Sequence, residues 1–339
     1  MLAFALAKLS VDQNARNPVI NNPIRGVTLV LLAAVLWGTT GTAQSFAPLS
    51  MSSYWVGAAR LIIAGGFFIL WLSISNARQL SPQSLSALPL KLILIAAASM
   101  AIYNLAFFAG VRASGVALGT ALALGSGPLW AGLFQVLWYR HMPRPAWWLA
   151  VTIATSGLFI ATLGNDESSS QLPLSGIALC LASGLSYAVY AITTKQIVAV
   201  APAATTTAVV FTLAAVFATP MALLLADLPR LGWSDISPLL WLGVIATGVA
   251  YLLFSNGLRH ISSATGVALA LAEPVAAVVL AIVIVGERPT LLSLAGMLIV
   301  FTGLIVLVKS ELATEHKKSE LATEHQKSEL ATEHQKSAG

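Results

Sequence analysis

Charge is what this chain has least of. Only 9% of its 339 residues are Asp, Glu, Lys or Arg, where a soluble domain carries roughly 25%. With 57% hydrophobic residues, a water-soluble fold is excluded, because no soluble core could bury that much apolar surface. Cysteine is nearly absent. Cys180 stands alone, so neither an intrachain disulfide nor a cysteine metal cluster can form. There is also no run of basic residues interleaved with aromatics, so the net charge of +5 does not mark a nucleic-acid binder. We expect no cofactor, no metal and no nucleic acid.

What the chain does have is ten apolar segments of membrane-spanning length. They lie at 26–46, 54–74, 90–108, 115–137, 146–164, 174–194, 204–226, 237–257, 264–285 and 290–308. Runs of Leu, Ala, Val and Ile on all faces point to helices, which satisfy their own backbone hydrogen bonds in lipid. The fold class is therefore an all-α polytopic membrane protein. The last five segments repeat the first five. A shift of 146 puts Pro128 on Pro274, Pro143 on Pro289 and Gly157 on Gly303, and a shift of 150 puts Gly26 on Gly176 and Trp37 on Tyr187. An odd number of spans per half inserts the second copy upside down, which is the inverted-repeat plan of secondary transporters.

Basic residues orient the bundle. With a cytoplasmic amino terminus, Lys8, Arg16, Arg25, Arg78, Lys91, Arg140, Arg144, Lys195, Arg259 and Lys309 lie inside, against Arg112, Arg230 and Arg288 outside, a clear positive-inside bias. Both termini are then cytoplasmic. The domains read as a lead-in at 1–25, a first five-helix repeat at 26–164, and an outer linker at 165–173 with Asp166 and Glu167. A second repeat follows at 174–309, then a polar tail at 310–339. That tail repeats a nonapeptide from Ser310, Ser319 and Ser328. One leucine in nine cannot build a core, so it reads as solvated and partly helical or disordered. A partner-binding tail with His316, His325 and His334 as metal ligands is the competing reading.

Polar groups inside a membrane are costly and mark functional sites by default. Two full charges fall well within spans: Glu273 near the middle of the ninth and Arg60 in the second. Glu273 reads as a proton-coupling group, as the ligand of a substrate ammonium, or as a structural residue pairing with Arg60. Arg60 reads as a helix-pair residue, a snorkeller or an anion ligand. Pro274 cannot donate to the carbonyl of Ala270, so the ninth helix should kink or break there. Pro128 should do the same at Leu124 after Gly125, Ser126 and Gly127. Matched interruptions in two halves point to a central site and its gates, although such prolines also shape helices for packing. Trp37, Tyr187, Tyr190, Tyr103, Asn104, Tyr251 and Asn256 could line an amphipathic cavity, with Ser126 as a further ligand. Trp138, Trp147 and Trp148, near loops, read instead as interfacial belt residues.

The stretch GVAYLLFSNGLRHISSATGVALALAEPVAAVVLAIVIVGERP at Gly248 to Arg288 resembles the second repeat of EamA-domain carriers in the drug/metabolite transporter superfamily. Its marks are Glu273-Pro274, the Gly286-Glu287-Arg288 turn and the Gly303-containing last helix. LLAAVLWGTTGT at Leu31 to Thr42 and Pro128 resemble the first repeat. The resemblance implies a ten-helix exporter working by alternating access, with the fifth and tenth spans given to packing or dimer contacts. Among such carriers the bacterial aromatic amino acid exporters are most similar, through Tyr103, Tyr187, Tyr190 and the Gly248–Tyr251 run. They carry aromatics before the fourth-helix proline, where this chain has Gly125, Ser126 and Gly127. The reading is an inner-membrane exporter of amino acids or similar small amphipathic metabolites, aromatic or broader, acting as monomer or homodimer in the lipid bilayer. A drug or sugar-phosphate carrier is the alternative, although phosphate wants several cationic ligands. An intramembrane hydrolase built on Ser126 is the remote one, since His141 and His260 lie near loops and a nucleophile needs a base within reach.

Overall fold

A computed structural model describes residues 22–46, 51–75, 88–140, 142–163, 173–229 and 231–313. Among them all regular structure is helical, and ten helices are long and apolar enough to cross a membrane. In chain order they are α1 Pro23–Phe46, α2 Ser53–Ser75, α3 Leu90–Ser114, α4 Val116–Tyr139 and α5 Pro145–Leu163. The second half holds α6 Leu174–Val198, α7 Ala203–Leu225, α8 Trp233–Gly257, α9 Ser263–Val285 and α10 Leu291–Ala313. The outer linker, His141, Arg78, Arg230, the lead-in before residue 22 and the tail beyond Ala313 lie outside the described residues.

Local chemistry sets the helix boundaries. Pro89, Pro173 and Pro202 stand immediately before α3, α6 and α7, where a missing N–H costs nothing because that donor has no helical partner. Gly115, at φ 82°, turns the chain between α3 and α4, and Gly286, at φ 79°, closes α9. Both occupy the left-handed region that glycine enters without a Cβ penalty.

Several helices overrun the expected spans. α3 continues from residue 108 to Ser114, α6 from 194 to Val198, and α10 from 308 to Ala313. Hydropathy marks where side chains stop favouring lipid, but the backbone stays helical until a residue breaks it. Ser310 and Glu311, read from sequence as the first tail repeat, are thus the last turn of α10, and the Thr265 hydroxyl donates to a Glu311 carboxylate oxygen at 2.9 Å.

The helices pack in a reciprocal pattern. α1 lies against α8 and α9, α6 lies against α3 and α4, and α2 packs on α7. At one side α5 meets α10 with backbones touching. A Cβ placed on Gly157 would sit 2.6 Å from the Val300 nitrogen, and one on Gly303 would sit 2.7 Å from the Ala154 nitrogen. Small residues allow such approach in lipid, where van der Waals contact drives association. Gly303→Leu should therefore cost more than the roughly 1–3 kcal/mol typical of overpacking, because backbone rather than a flexible side chain stands in the way. The expected result is a clear drop in melting temperature and in the monodisperse fraction after detergent extraction. Gly66→Leu, which meets open space, should leave both unchanged.

Trp147 and Trp148, read from sequence as belt residues, pack into the bundle. Trp147 is buried, its ring meets that of Trp148 edge-on at 4.9 Å, and both lie against Gly132 of α4. The missing side chain at Gly132 makes room for them. The Trp138 side chain is outside the described set.

Candidate functional site

The matched prolines behave differently. α9 is interrupted: one segment ends at Leu269 and the next starts at Ala272. Pro274 cannot bond the Ala270 carbonyl, and the Glu273 N–H takes it instead at 2.9 Å, while the Leu271 N–H bonds Ala268 at 3.1 Å. These i→i−3 bonds tighten the backbone before the proline. α4, by contrast, runs unbroken through Pro128, so of the kink or break expected there the break does not occur. A proline removes only one rung of the ladder. Here Gly125 lies against Thr155, and Gly127 lies against Val267 and Tyr187, so neighbouring helices hold the helix in place.

A second irregularity has no proline. From Trp241 to Val249, α8 winds as a π-helix. Its face toward α2 is cut away at Gly243, which receives Ile63, and at Gly248, which receives Phe67. Within this wide turn the Thr247 hydroxyl donates to the Leu242 carbonyl at 2.6 Å and accepts from Arg60 Nε at 3.0 Å. Arg60 Nη2 points to the Ala246 carbonyl at 3.5 Å, and the guanidinium carbon stands 5.2 Å from the centre of the Phe108 ring.

Between α1, α2, α3, α4, α5, α9 and α10 lies a cavity of about 740 Å³. It reaches from Trp37, Tyr103, Arg60, Glu273 and Pro274 to Gly41, Ser53, Arg112, Val116 and Thr162. The second set sits at the C-terminal ends of α1, α3 and α5 and the N-terminal ends of α2 and α4, which share one end of an alternating bundle. The cavity therefore opens at that end. Arg60 and Glu273 both line it, from α2 and α9; Arg60 hydrogen-bonds Thr247 and Ala246 and stands over Phe108, and its charge also acts on the Glu273 carboxyl. Arg60 is 6% exposed and Glu273 half-buried.

An aromatic layer closes the other end. Trp37 contacts Tyr251 at 4.9 Å, Phe254 at 5.5 Å and Tyr187 at 6.2 Å between ring centres. Tyr187 in turn meets Tyr103 at 5.2 Å, and Tyr251 meets Phe211 at 4.8 Å. Tyr190 lies beneath, 5.7 Å from Tyr251. Edge and tilted geometries of this kind are favourable for π systems and make a rigid plug. The Trp37 indole N–H and the Tyr187 hydroxyl are buried with no hydrogen-bond partner among the described residues. Unsatisfied polar groups of this kind are rare and want a reason.

The remaining sequence candidates lie off the cavity. Asn104 is buried, donates to the Met100 carbonyl at 3.1 Å, and its backbone meets Gly57 of α2. Ser126 donates to the Ala123 carbonyl at 3.3 Å against Gly184, and Asn256 donates to the Leu252 carbonyl at 2.8 Å. Such bonds to the preceding turn are how small polar groups pass unnoticed inside a helix. Conversely, Phe107, Phe108, Val111, Thr120 and Met297 line the cavity without having been singled out. Tyr103, Phe107 and Val111 are four residues apart on one helix face, a stripe readable in the sequence.

The geometry has close relations among known proteins. The model of the EamA-like transporter family matches residues 24–163 and again 174–309. An uncharacterised transporter of Bacillus subtilis (strain 168), YwfM, is 36% identical over 278 residues, which are 82% of this chain and 92% of that protein. The threonine/homoserine exporter RhtA of Escherichia coli (strain K12) is 28% identical over 84% of this chain and 92% of its own. A crystal structure 18% identical in sequence shares the fold with a TM-score of 0.71, covering 86% of this chain and 98% of that one. The protein is a small-molecule transporter rather than an enzyme, and with both halves matched the chain belongs to the EamA-like transporter family.

Proposed function

We propose that the protein exports amino acids across the bacterial inner membrane by alternating access, taking the zwitterion between Arg60 and Glu273. The observation that carries this is one cavity that holds the acidic Glu273 and two basic side chains, Arg60 in its wall and Arg112 nearer the mouth, with Arg60 hydrogen-bonded to Thr247. A free amino acid has the complementary pair of charges on a single carbon. Its carboxylate faces Arg60, its ammonium faces Glu273, and its side chain lies along Phe107, Val111 and Met297. Trp37 lines the cavity against the aromatic layer, and its indole N–H lies buried there. A dianionic phosphate could draw on Arg60 and Arg112 but would also meet the Glu273 carboxylate on the same wall, and this disfavours the sugar-phosphate alternative.

The cavity is large for a single amino acid, which supports a broad range over a strictly aromatic one. The likeness to a protein named for threonine and homoserine supports the same reading. With both termini cytoplasmic, the cavity mouth faces outward and the aromatic layer seals the inner side. The reciprocal packing of α1 on α8 and α9 and of α6 on α3 and α4 supports two inverted halves that rock about this centre, with the break at Pro274 as the moving joint.

Counterflow in proteoliposomes tests it. Vesicles loaded with a mixed amino acid pool should take up labelled Thr, Met and Phe, and take up neither a sugar phosphate nor a cationic drug. Uptake of the drug or the phosphate without amino acids would replace this reading.

A further inference from the structure

We infer that Thr247, on the π-helical turn of α8, is a positioning residue that holds Arg60 as a fork for the substrate carboxylate. This deepens the amino-acid reading above and rests on it. A hydroxyl has one proton to give, and Thr247 gives its proton to the Leu242 carbonyl, five residues back, at 2.6 Å. A spacing of five belongs to the π-helix and not to the α-helix. With its donor committed, the oxygen can only accept on the side facing Arg60, where the Nε–H reaches it at 3.0 Å.

The guanidinium is planar with five N–H donors in fixed directions. Thr247 takes the Nε–H, the Ala246 carbonyl stands 3.5 Å from Nη2, and Phe108 lies 5.2 Å from the guanidinium carbon. Pinning the plane and the Nε–Nη2 edge leaves Nη1, and with it the Nη1–Nη2 edge, with no hydrogen-bond acceptor given by the described residues. Arg60 lines the cavity although it is 94% buried, being 6% exposed. Two parallel N–H groups in a water-poor wall match the two oxygens of a carboxylate. Thr247 is fully buried and is not a cavity-lining residue, so it acts through Arg60 alone.

The experiment measures binding to purified protein by calorimetry for wild type, Thr247→Ser and Thr247→Val. The probes are threonine, 3-hydroxybutyrate, which lacks the amine, and 1-amino-2-propanol, which lacks the carboxylate. Thr247→Val should weaken threonine and 3-hydroxybutyrate by about tenfold, the scale of one lost hydrogen bond to a charged group, and leave aminopropanol unchanged. Thr247→Ser keeps the hydroxyl and should stay within about twofold of wild type for all three. If wild type binds 3-hydroxybutyrate but not threonine, with the same Thr247 dependence, the fork stands and the amino-acid reading fails. Equal losses for all three probes, equal losses in Ser and Val, or no carboxylate binding to wild type would each overturn the fork.

Discussion

Arg60→Gln abolishes amino acid counterflow while the protein still extracts as a monodisperse species. Removing one member of a buried charge pair costs about 2–5 kcal/mol, a loss of roughly 30-fold to several thousandfold. The effect falls on every substrate with a carboxylate, threonine and 3-hydroxybutyrate alike. Arg60→Lys separates charge from shape. A lysine ammonium is a compact charge on a flexible stem and lacks the fork, so it should recover only part of the loss. Full recovery with Lys would mean that the site needs a positive charge and not a bidentate surface. Loss of folded protein with Gln and Lys alike would return Arg60 to a helix-pairing role between α2 and α8, which its bonds to Thr247 and Ala246 also describe.

Both charges were legible in the sequence because lipid makes their presence expensive. Ten spans, the Pro274 break and the mid-span position of Trp37 were legible for similar reasons, each resting on one residue and its immediate neighbours. The π turn of α8 was not. Nothing in Trp241 to Val249 forbids an ordinary α-helix. The wider winding comes with α2, whose Ile63 and Phe67 fill the gaps at Gly243 and Gly248. The unbroken helix at Pro128 was hidden for the converse reason. A proline states what its own backbone loses, but whether the helix parts depends on α5, α6 and α9 packed around Gly125 and Gly127.

Amide and hydroxyl groups misled for a third reason. Asn104, Ser126 and Asn256 each bond a carbonyl in their own preceding turn, so polarity inside a span does not by itself point into a cavity. Arginine and glutamate have no such exit. A guanidinium is too long and too rich in donors to be satisfied by one turn of its own helix, and a carboxylate is an acceptor only. The two fully charged candidates therefore line the cavity, where these neutral polar ones do not.

Glu273→Gln carries the complementary prediction. If the carboxylate holds the substrate ammonium, the variant loses threonine by roughly 10- to 150-fold, the worth of about 1.5–3 kcal/mol in a charged hydrogen bond, but keeps 3-hydroxybutyrate near wild type. Arg60→Gln loses both. The pair of variants thus assigns each pole of the zwitterion separately, and no general packing defect produces that pattern. If Glu273 instead carries a coupling proton, the same variant shows a different signature: exchange of threonine survives, and uphill transport loses its dependence on pH. The position favours the ligand role. Glu273 stands at the first turn after the break in α9, with its carbonyl pressed against Gly38 of α1, where an added Cβ would lie 2.9 Å away. In this conformation that contact seats the backbone under the carboxylate against α1, which places the charge in the cavity wall where a substrate ammonium can reach it. Gly38→Val, whose Cβ would press on the Glu273 carbonyl and the Ala277 nitrogen, should by contrast lose threonine and 3-hydroxybutyrate together, along with folded protein, which separates a packing defect from the loss of the carboxylate.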